Sequence, residues 1–566
     1  MRWNIKQTPD IKTTNNLAKA LAIDPVLSKL LVQRDVTTFE EAKHFFRPSL
    51  SDLHDPYLMK DMDKAIERIE IAIQKNENIL IYGDYDVDGT TAVSLVFSYF
   101  KTFYDKIATY IPDRYNEGYG ISYLGIDFAD DNDFGLIIAL DCGIKAIEKV
   151  DYAKEKDIDF IICDHHRPGD KIPNAIAVLD PKRKDCNYPY DELCGCGIGF
   201  KLVQAFAKKR NQNIDELTPY LDMVATAIAA DIVPITGENR ILATFGLQII
   251  NSDPRPGIKA ITSQINRGEL TITDVVFVIA PRINAAGRIK HGLHAVELLT
   301  ETNPEKAMEF ATEIETYNSN RKELDKQITL EALQQIEKNN EKDNFTTVVY
   351  QEDWHKGVIG IVASRLIENY YRPTLVFTKS GEKFAASARS VKGFDVYNAL
   401  QECAEFIEQF GGHKYAAGLT LAPENYSKFK QKFEEVVRNS ITKESLTPQI
   451  IIDSEINLQE ITPKFHRILK QFGPFGPQNM KPVFISSGLR DNGYGKKVGA
   501  DGEHLKLNII NGTDYKTYNS IGFGLGEKFD IPKNGNTFKA AFTIEENHWN
   551  GITSLQLNLK DIKEDR

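Results

Sequence analysis

The chain has 566 residues, 42% hydrophobic and 26% charged, and at roughly 100–200 residues per domain it should hold three to five domains. No run approaches the ~18 apolar residues of a membrane helix, so a disordered, collagen-like or membrane-spanning chain is excluded. The net charge of 69 − 80 = −11 argues against a general basic coat for nucleic acid but leaves room for a local basic groove.

Six cysteines at irregular spacing fit a reducing compartment. Met1 to Thr14 is polar, without an apolar run of signal-peptide length, and a cytoplasmic protein is expected. Before residue 60 the chain reads as short helices, with Leu27, Leu30 and Leu31 on one face. Met62, Ile66, Ile69 and Ile73 recur at helical spacing, and Lys75 to Asn78 ends that helix before the apolar run Ile79 to Tyr82. The alternation repeats. Thr91 to Phe100 is a helix with Val93, Val96, Phe97 and Phe100 on one face, and Leu136 to Leu140 is a strand. Ile144 to Lys154 is a helix, and Phe160 to Cys163 and Ala175 to Leu179 are apolar runs. Leu221 to Ala230 is an apolar helix that ends at Asp231. Continuous apolar strands alternating with helices predict a parallel sheet covered on both faces.

Pro304 to about Asn340 is charged and helical in period, with Leu324, Ile328, Ala332 and Ile336 as inward positions. It predicts one long connecting helix, with Asn318 to Asn320 as the place for a break. A second α/β unit runs from Thr346 to about Asn439, and a boundary follows near Ser445 to Pro448. Beyond it, Leu505, Leu507 and Ile509, and Leu555, Leu557 and Leu559, alternate with period two. Trp549-Asn550-Gly551 supplies hairpin-turn chemistry, so this part reads as a small β-barrel or sandwich.

Asp84, Asp86 and Asp88 alternate between a buried strand and a helix. Three such carboxylates either cap the helix as a solvated turn or repel one another unless cations sit among them, and the cation is favoured. Two more strands end in acids, at Asp141 and at Asp164-His165-His166. The carboxyl ends of strands in an open α/β sheet form the ligand crevice, so these groups should converge, with Asp231 as a further source. Carboxylates with one or two imidazoles suit manganese or magnesium better than zinc. Cys186, Cys194 and Cys196 lack paired zinc spacing and are expected to pack in the core; His291 and His294 are expected to be ordinary histidines.

These segments, Asp84 to Gly89, Ala139 to Gly143, Asp164 to His166 and Ala230 to Pro234, resemble the four motifs of the DHH phosphoesterase superfamily, and within it the single-strand-specific 5′→3′ exonucleases of bacteria. Pro281 to Arg288, Ala386 to Ser390, Gly411 to Gly418 and Pro474 to Pro477 extend the resemblance over nearly the whole chain. It implies an α/β multidomain fold: a helical lead-in (1–60), a parallel-sheet DHH catalytic domain (61–240), a helical connector (241–340), a DHH-associated substrate-binding domain (341–445) and an OB-fold β-barrel (446–566).

The resemblance also implies site residues. Asp86, Asp141, His165 and Asp231 match the ligands of one metal; Asp84 matches a ligand of a second, which Asp141 bridges. The two divalent ions, manganese or magnesium, would lie ~3.5–4 Å apart and activate water for in-line displacement of the 3′-oxygen. His166 matches a histidine at the reacting phosphate, and Asp88 and Asp164 match supporting positions, with backbone capping as their simpler use. Arg114, in the segment Pro112 to Gly120, matches an arginine that grips the 5′-terminal phosphate, together with Ser387 and Arg389. Gly411, Gly412 and His413 suit an anion nest or a tight turn. Arg282 and Arg288 suit either strand contact or bracing. Phe472, Phe475, Tyr494 and Trp549 could stack on bases, but each is expected in the barrel core. One departure stands out: the family usually carries a second glycine after Pro-Phe-Gly, where this chain has Pro477-Gln478.

The activity implied is hydrolysis of single-stranded DNA to 5′-mononucleotides in repair and recombination. The partners implied are single-strand-binding protein and a RecQ-type helicase around a monomer. Related enzymes cleave short oligonucleotides or cyclic dinucleotides, and related replication proteins are inactive scaffolds. A strand-binding β region argues against the first alternative, and the intact acidic cluster against the second.

Overall fold

The run Ile79 to Tyr82 forms the strand Asn78–Gly83 of a five-stranded, wholly parallel sheet. Its order is Ile107–Tyr110, Asn78–Gly83, Phe134–Leu140, Asp159–Cys163, Ala177–Leu179. Period-two alternation sends Leu80 and Tyr82 into a core with Ile126, Val150 and Ile158, and Ile79 and Ile81, also buried, to the opposite face. The helices Val87–Lys101 and Gly195–Lys209 pack together against the sheet. Both faces are therefore covered, which is why these strands carry no polar alternation. The computed structural model describes residues 1–265, 268–511, 516–549 and 551–565.

The chain divides into two compact units. One comprises His54–Val233 and Phe245–Pro448. Besides the parallel sheet it contains a second five-stranded sheet, of order Gln409–His413, Ala416–Leu421, Lys383–Arg389, Thr374–Ser380, Thr347–Tyr350. Only the last pair is parallel, and Phe377, Phe429 and Phe433 fill its core. The helix Pro304–Lys338 is continuous, so the break expected at Asn318 to Asn320 does not occur. The polar residues there satisfy one another along the helix. The side-chain oxygen of buried Asn318 accepts from the Arg321 guanidinium at 2.7 Å, and buried Asp325 accepts from Arg365 at 2.7 Å.

The other unit comprises Met1–Leu53, Pro234–Thr244 and Gln449–Arg566. The short helices expected before residue 60 include Ile11–Leu21, Pro25–Val32 and Phe39–Phe46. A strand absent from the sequence reading, Arg2–Ile5, pairs in parallel with Gln449–Ile452. Leu27, Leu30 and Leu31 share a core with Phe484, Leu507 and Phe542. The strands Phe484–Asp491, Phe538–Trp549, Ile552–Glu564, Tyr518–Gly522 and His504–Asn511 follow one another, and the last pairs back onto the first, closing a five-stranded ring. Phe472 lies in that core and Phe475 packs against it. Tyr494 does not join the core: it is 75% exposed. Its turn is held by the Asp491 carboxylate, which accepts from the Gly493 and Gly495 amides at 2.9 and 2.8 Å and leaves the ring outside. Asn550 and the Trp549 side chain lie outside the described residues.

At the departure noted above, Gln478 takes φ of 58°, and Gly476 and Asn479 exchange backbone hydrogen bonds at 3.1 and 2.9 Å. Pro477 followed by a left-handed residue is the pattern of a type II turn, so glutamine bears the strain that a glycine would avoid.

Candidate metal centre

The parallel sheet delivers its acids to one edge. Asp84 follows the strand Asn78–Gly83, Asp141 follows Phe134–Leu140, and Asp164-His165-His166 follows Asp159–Cys163. Asp86 caps the helix Val87–Lys101, accepting from the Gly89 amide at 3.1 Å. Asp231 ends the helix Leu221–Ala230. Two of these turns are strained. Asp141 has φ of 60° and Ile232, beside Asp231, has φ of 59°; a β-branched residue there is a true outlier of the kind that collects at functional sites.

His165 is the meeting point. Its Nε2 lies 3.2 Å from Asp141 Oδ1, 3.6 Å from Asp231 Oδ2 and 3.7 Å from Asp88 Oδ2. Ligand atoms of Asp141, His165 and His166, and of Asp88, His165 and Asp231, form two groups, each within 4.8 Å. Asp84, Asp88, Asp141 and His165 are buried. Among the described residues, Asp84 Oδ2, Asp141 Oδ1 and His165 Nδ1 are buried with no hydrogen-bond partner. Buried, unpaired acceptors beside like charges are costly, and divalent cations are the chemistry that such a donor set fits.

The supporting acids differ in kind. Asp88 accepts from the Gly195 and Cys196 amides at 2.6 and 2.7 Å, pinning the start of the helix Gly195–Lys209. Gly195 permits this approach, since a Cβ there would stand 2.5 Å from the Asp141 Cβ. Asp164 accepts from the Ile144, His165 and His166 amides and, at 2.7 Å, from His166 Nδ1. On the far side of the ring, His166 Nε2 meets the Tyr119 hydroxyl at 3.0 Å.

Electrostatics follow from burial. Desolvation, reinforced by Asp88, Asp86 and Asp231, holds Asp141 well above the ordinary carboxylate range, and desolvation with Asp86 does the same to Asp84. Burial, then Asp86, pushes Asp88 up to about 6; burial, then Asp88, pushes Asp231 up to about 8. Burial and the neighbouring His166 hold His165 down at about 3. Burial would lower His166 too, but Asp164 prevails and raises it to about 9. Burial would raise Asp164, and the His166 hydrogen bond prevails, bringing it to about 2.

A second cluster is cationic. The Arg114 guanidinium lies 4.0 Å over the Tyr85 ring, and its Nε is buried without a partner among the described residues. Arg389 donates to Ser387 Oγ at 3.0 Å and to the Ala388 carbonyl at 2.8 Å. Arg288 donates to the Gly357 carbonyl at 3.0 Å, and burial followed by repulsion from Arg114, Arg389 and Arg321 brings its guanidinium down to about 10. Guanidiniums that repel one another suit an anion. Arg282 is not in this group: it pairs with Glu315 at 2.6 Å and donates to the Val278 carbonyl, bracing the long helix. Gly411, Gly412 and His413 lie on the exposed strand Gln409–His413. Gly411 pairs with Gly418, which pairs with Ser387, so the glycines sit two strands from the arginine pocket.

Cys194 and Cys196 are buried at the start of a helix, and Cys186 is half-buried. His294 pairs with Glu297, and His291 accepts from the Leu293 amide; neither lies in the two metal-capable groups. The sequence reading missed Asp180, Tyr85 and Tyr119. Asp180 follows the strand Ala177–Leu179 as the other acids follow theirs, is fully buried, and is pushed up to about 7 mainly by burial. That shared position after an apolar run was the available signal.

An acidic and imidazole cluster at the carboxyl edge of a parallel sheet, beside an arginine pocket, defines a metal-dependent phosphoesterase. Family models match three parts of the chain: "DHH family, N-terminal domain" over 78–228, "DHHA1 domain" over 343–439 and "RecJ OB domain" over 452–561. A single-stranded-DNA-specific exonuclease RecJ from Bacillus subtilis (strain 168) is 36% identical, over 99% of this chain and 70% of its own. The protein of that name from Escherichia coli (strain K12) is 30% identical, over 95% of this chain and 96% of its own. Crystal structures of RecJ from Thermus thermophilus with Mn2+ and with Mg2+ share the fold, with TM-scores of 0.85 and 0.78 at 23% and 22% identity; they cover 100% of this chain and 80% and 79% of theirs. This chain belongs to the RecJ family of single-stranded-DNA-specific exonucleases.

The raised carboxyl groups set a pH dependence. A folded-state pKa above the unfolded value means that the folded state holds extra protons, so stability is lost as pH rises from about 4 through about 8, the value for Asp231. Cations that replace those protons bind more tightly at the upper end. In EDTA the Tm should therefore fall between pH 5 and pH 8, and the increment from added manganese should grow over the same range. A manganese increment independent of pH would contradict this.

Proposed function

We propose that this protein is a metal-dependent 5′→3′ exonuclease that hydrolyses single-stranded DNA to 5′-mononucleotides in DNA repair and recombination. The observation that carries this reading is the meeting of buried, unpaired Asp84, Asp141 and His165 atoms with an arginine pocket in one compact unit. Asp86, Asp141, His165 and Asp231 would hold one divalent ion and Asp84, with Asp141, a second, manganese or magnesium. Such ions supply a nucleophilic water at neutral pH and offset the charge that develops around phosphorus.

The chain's own residues would do the rest. Arg114, Ser387 and Arg389 would hold the 5′-terminal phosphate, which selects the end to be cut. His166, kept protonated by Asp164 and held on its other side by the Tyr119 hydroxyl, would place positive charge beside the scissile phosphate. Asp88 and Asp164 would act through others, Asp88 by fixing a helix start and Asp164 by orienting the ring. Arg288 would add charge at the strand, Arg282 would brace, and Gly411, Gly412 and His413 would line the strand's path. The oxygen of water adds to phosphorus and the bond to the 3′-oxygen breaks. The released nucleotide leaves with a 3′-hydroxyl, and the shortened strand keeps a 5′-phosphate, the group that the arginine pocket takes next.

The domain limits given above, a monomeric state, a cytoplasmic location and partnership with single-strand-binding protein and a RecQ-type helicase belong to the same reading. No helix among the described residues is long and apolar enough to cross a membrane.

Digestion of 5′-labelled and 3′-labelled oligonucleotides with manganese, beside a blunt duplex and a dinucleotide, tests the proposal. Labelled mononucleotide should appear at once from the 5′ end, with the duplex spared. Cleavage of the dinucleotide alone would replace this reading with a small-substrate enzyme. Asp141→Ala should lower kcat by at least about 10³-fold, on the scale of lost charge stabilisation; substantial residual turnover with manganese would count against a shared ligand. Arg389→Ala should weaken the preference for 5′-phosphorylated over 5′-hydroxyl strands by ~10-fold or more, with manganese affinity unchanged. Equal losses on both strands would contradict the pocket.

A further inference from the structure

Tyr85 stands between the two candidate metal ligands Asp84 and Asp86, yet its side chain faces the other cluster. The Arg114 guanidinium carbon lies over its ring, 4.0 Å from the centroid, and Tyr119 meets it edge to face at 6.1 Å. Tyr119 in turn bonds His166, and His166 bonds Asp164. A continuous row therefore runs from the arginine at the strand's end, through one residue of the metal loop, to the histidine beside the metal-capable groups. The Arg114 guanidinium meets this ring and attracts the Asp84 carboxylate, and its Nε is buried and unpartnered among the described residues. A Coulombic attraction does not by itself fix a distance, and the ring face can.

The loop itself is held independently of the ring. A Cβ on Gly287, in the helix Ala280–Ile289, would stand 2.6 Å from the Tyr85 carbonyl oxygen, and one on Gly292, which caps the helix Leu293–Thr300, would stand 3.2 Å from its Cα and from its Cβ, so two glycines seat Tyr85 up to its Cβ. The ring is thus free to serve as a spacer while its backbone carries Asp84 and Asp86.

We infer that Tyr85 is a positioning residue that sets the distance between the 5′-phosphate arginine and the metal centre, and so fixes the product at one nucleotide. This deepens the function proposed above and rests on Arg114 gripping the 5′-phosphate. Aromatic faces attract guanidiniums strongly when both are shielded from water, and a reacting phosphate misplaced by a fraction of a nucleotide loses its alignment.

The test compares the wild type, Arg114→Ala, Tyr85→Leu, Tyr85→Met and Tyr85→Phe as full-length, manganese-loaded enzymes. Each is given 5′-phosphorylated and 5′-hydroxyl single strands, and product lengths are resolved. Tyr85→Leu should lower the 5′-phosphate preference by ~10-fold and release dinucleotides beside mononucleotides. Tyr85→Phe, which keeps the ring face, should restore both readouts, and the manganese concentration for half-maximal activity should not move. Tyr85→Met serves if the leucine variant does not fold. Mononucleotides alone with an undiminished 5′-phosphate preference from a folded leucine or methionine variant, while Arg114→Ala loses that preference, would overturn the spacer. An Arg114→Ala enzyme that keeps its preference would overturn the phosphate assignment beneath it.

Discussion

Like-charge repulsion at the edge of one sheet is the constraint on which the rest of the structure depends. Asp84, Asp88 and Asp141 are buried with His165 among them. Such a group is unfavourable even with protonated His166 beside Asp141 and with Arg114 attracting Asp84, since burial removes the water that would stabilise each charge. Three devices hold it together. Asp88 commits both oxygens to the start of a helix, Asp164 commits its own to backbone amides and one imidazole, and Asp141 is locked in a left-handed turn. Asp84 Oδ2 and Asp141 Oδ1 are left unpaired among the described residues, as atoms that a divalent ion can use.

In the proposed function the two clusters also divide the labour of recognition and chemistry. The acids can take cations but cannot tell one strand end from another, and the arginines can take a terminal phosphate but cannot cut. Both come from the same compact unit, and the segment Pro112 to Gly120 contributes to each: Arg114 to the cationic pocket, and Tyr119 to His166. Tyr115 closes the arrangement, its hydroxyl donating to the Arg288 carbonyl at 2.5 Å. In the proposed reading, placement of the cut would depend on aromatic side chains as well as on charges.

The polar residues of the long helix show the same logic away from the site. Asn318, Arg321 and Asp325 are buried and paired with one another or with Arg365. Each would be unfavourable alone, and together they let a 35-residue helix run unbroken between two sheets.

Much of this was legible in one dimension. Strands buried on both faces announce themselves as apolar runs, and an acid after such a run lies at the carboxyl edge whatever the rest of the chain does, so Asp84, Asp141 and Asp164 could be placed before any coordinates. The same rule would have placed Asp180. Tertiary structure alone decided the rest, because the deciding partner is distant in sequence or is a backbone group. The partners of Asp88 are amides 107 and 108 residues away. Arg282 and Arg288 look alike in sequence, and only the nearby Glu315 separates the brace from the pocket. Arg2–Ile5 is too short and too polar to read as a strand, and pairs because Gln449–Ile452 offers it an edge. Tyr494 reads as core by composition but sits on a turn that the Asp491 carboxylate holds. Periodicity determines which face is apolar; which polar groups meet is set by the folded path of the chain.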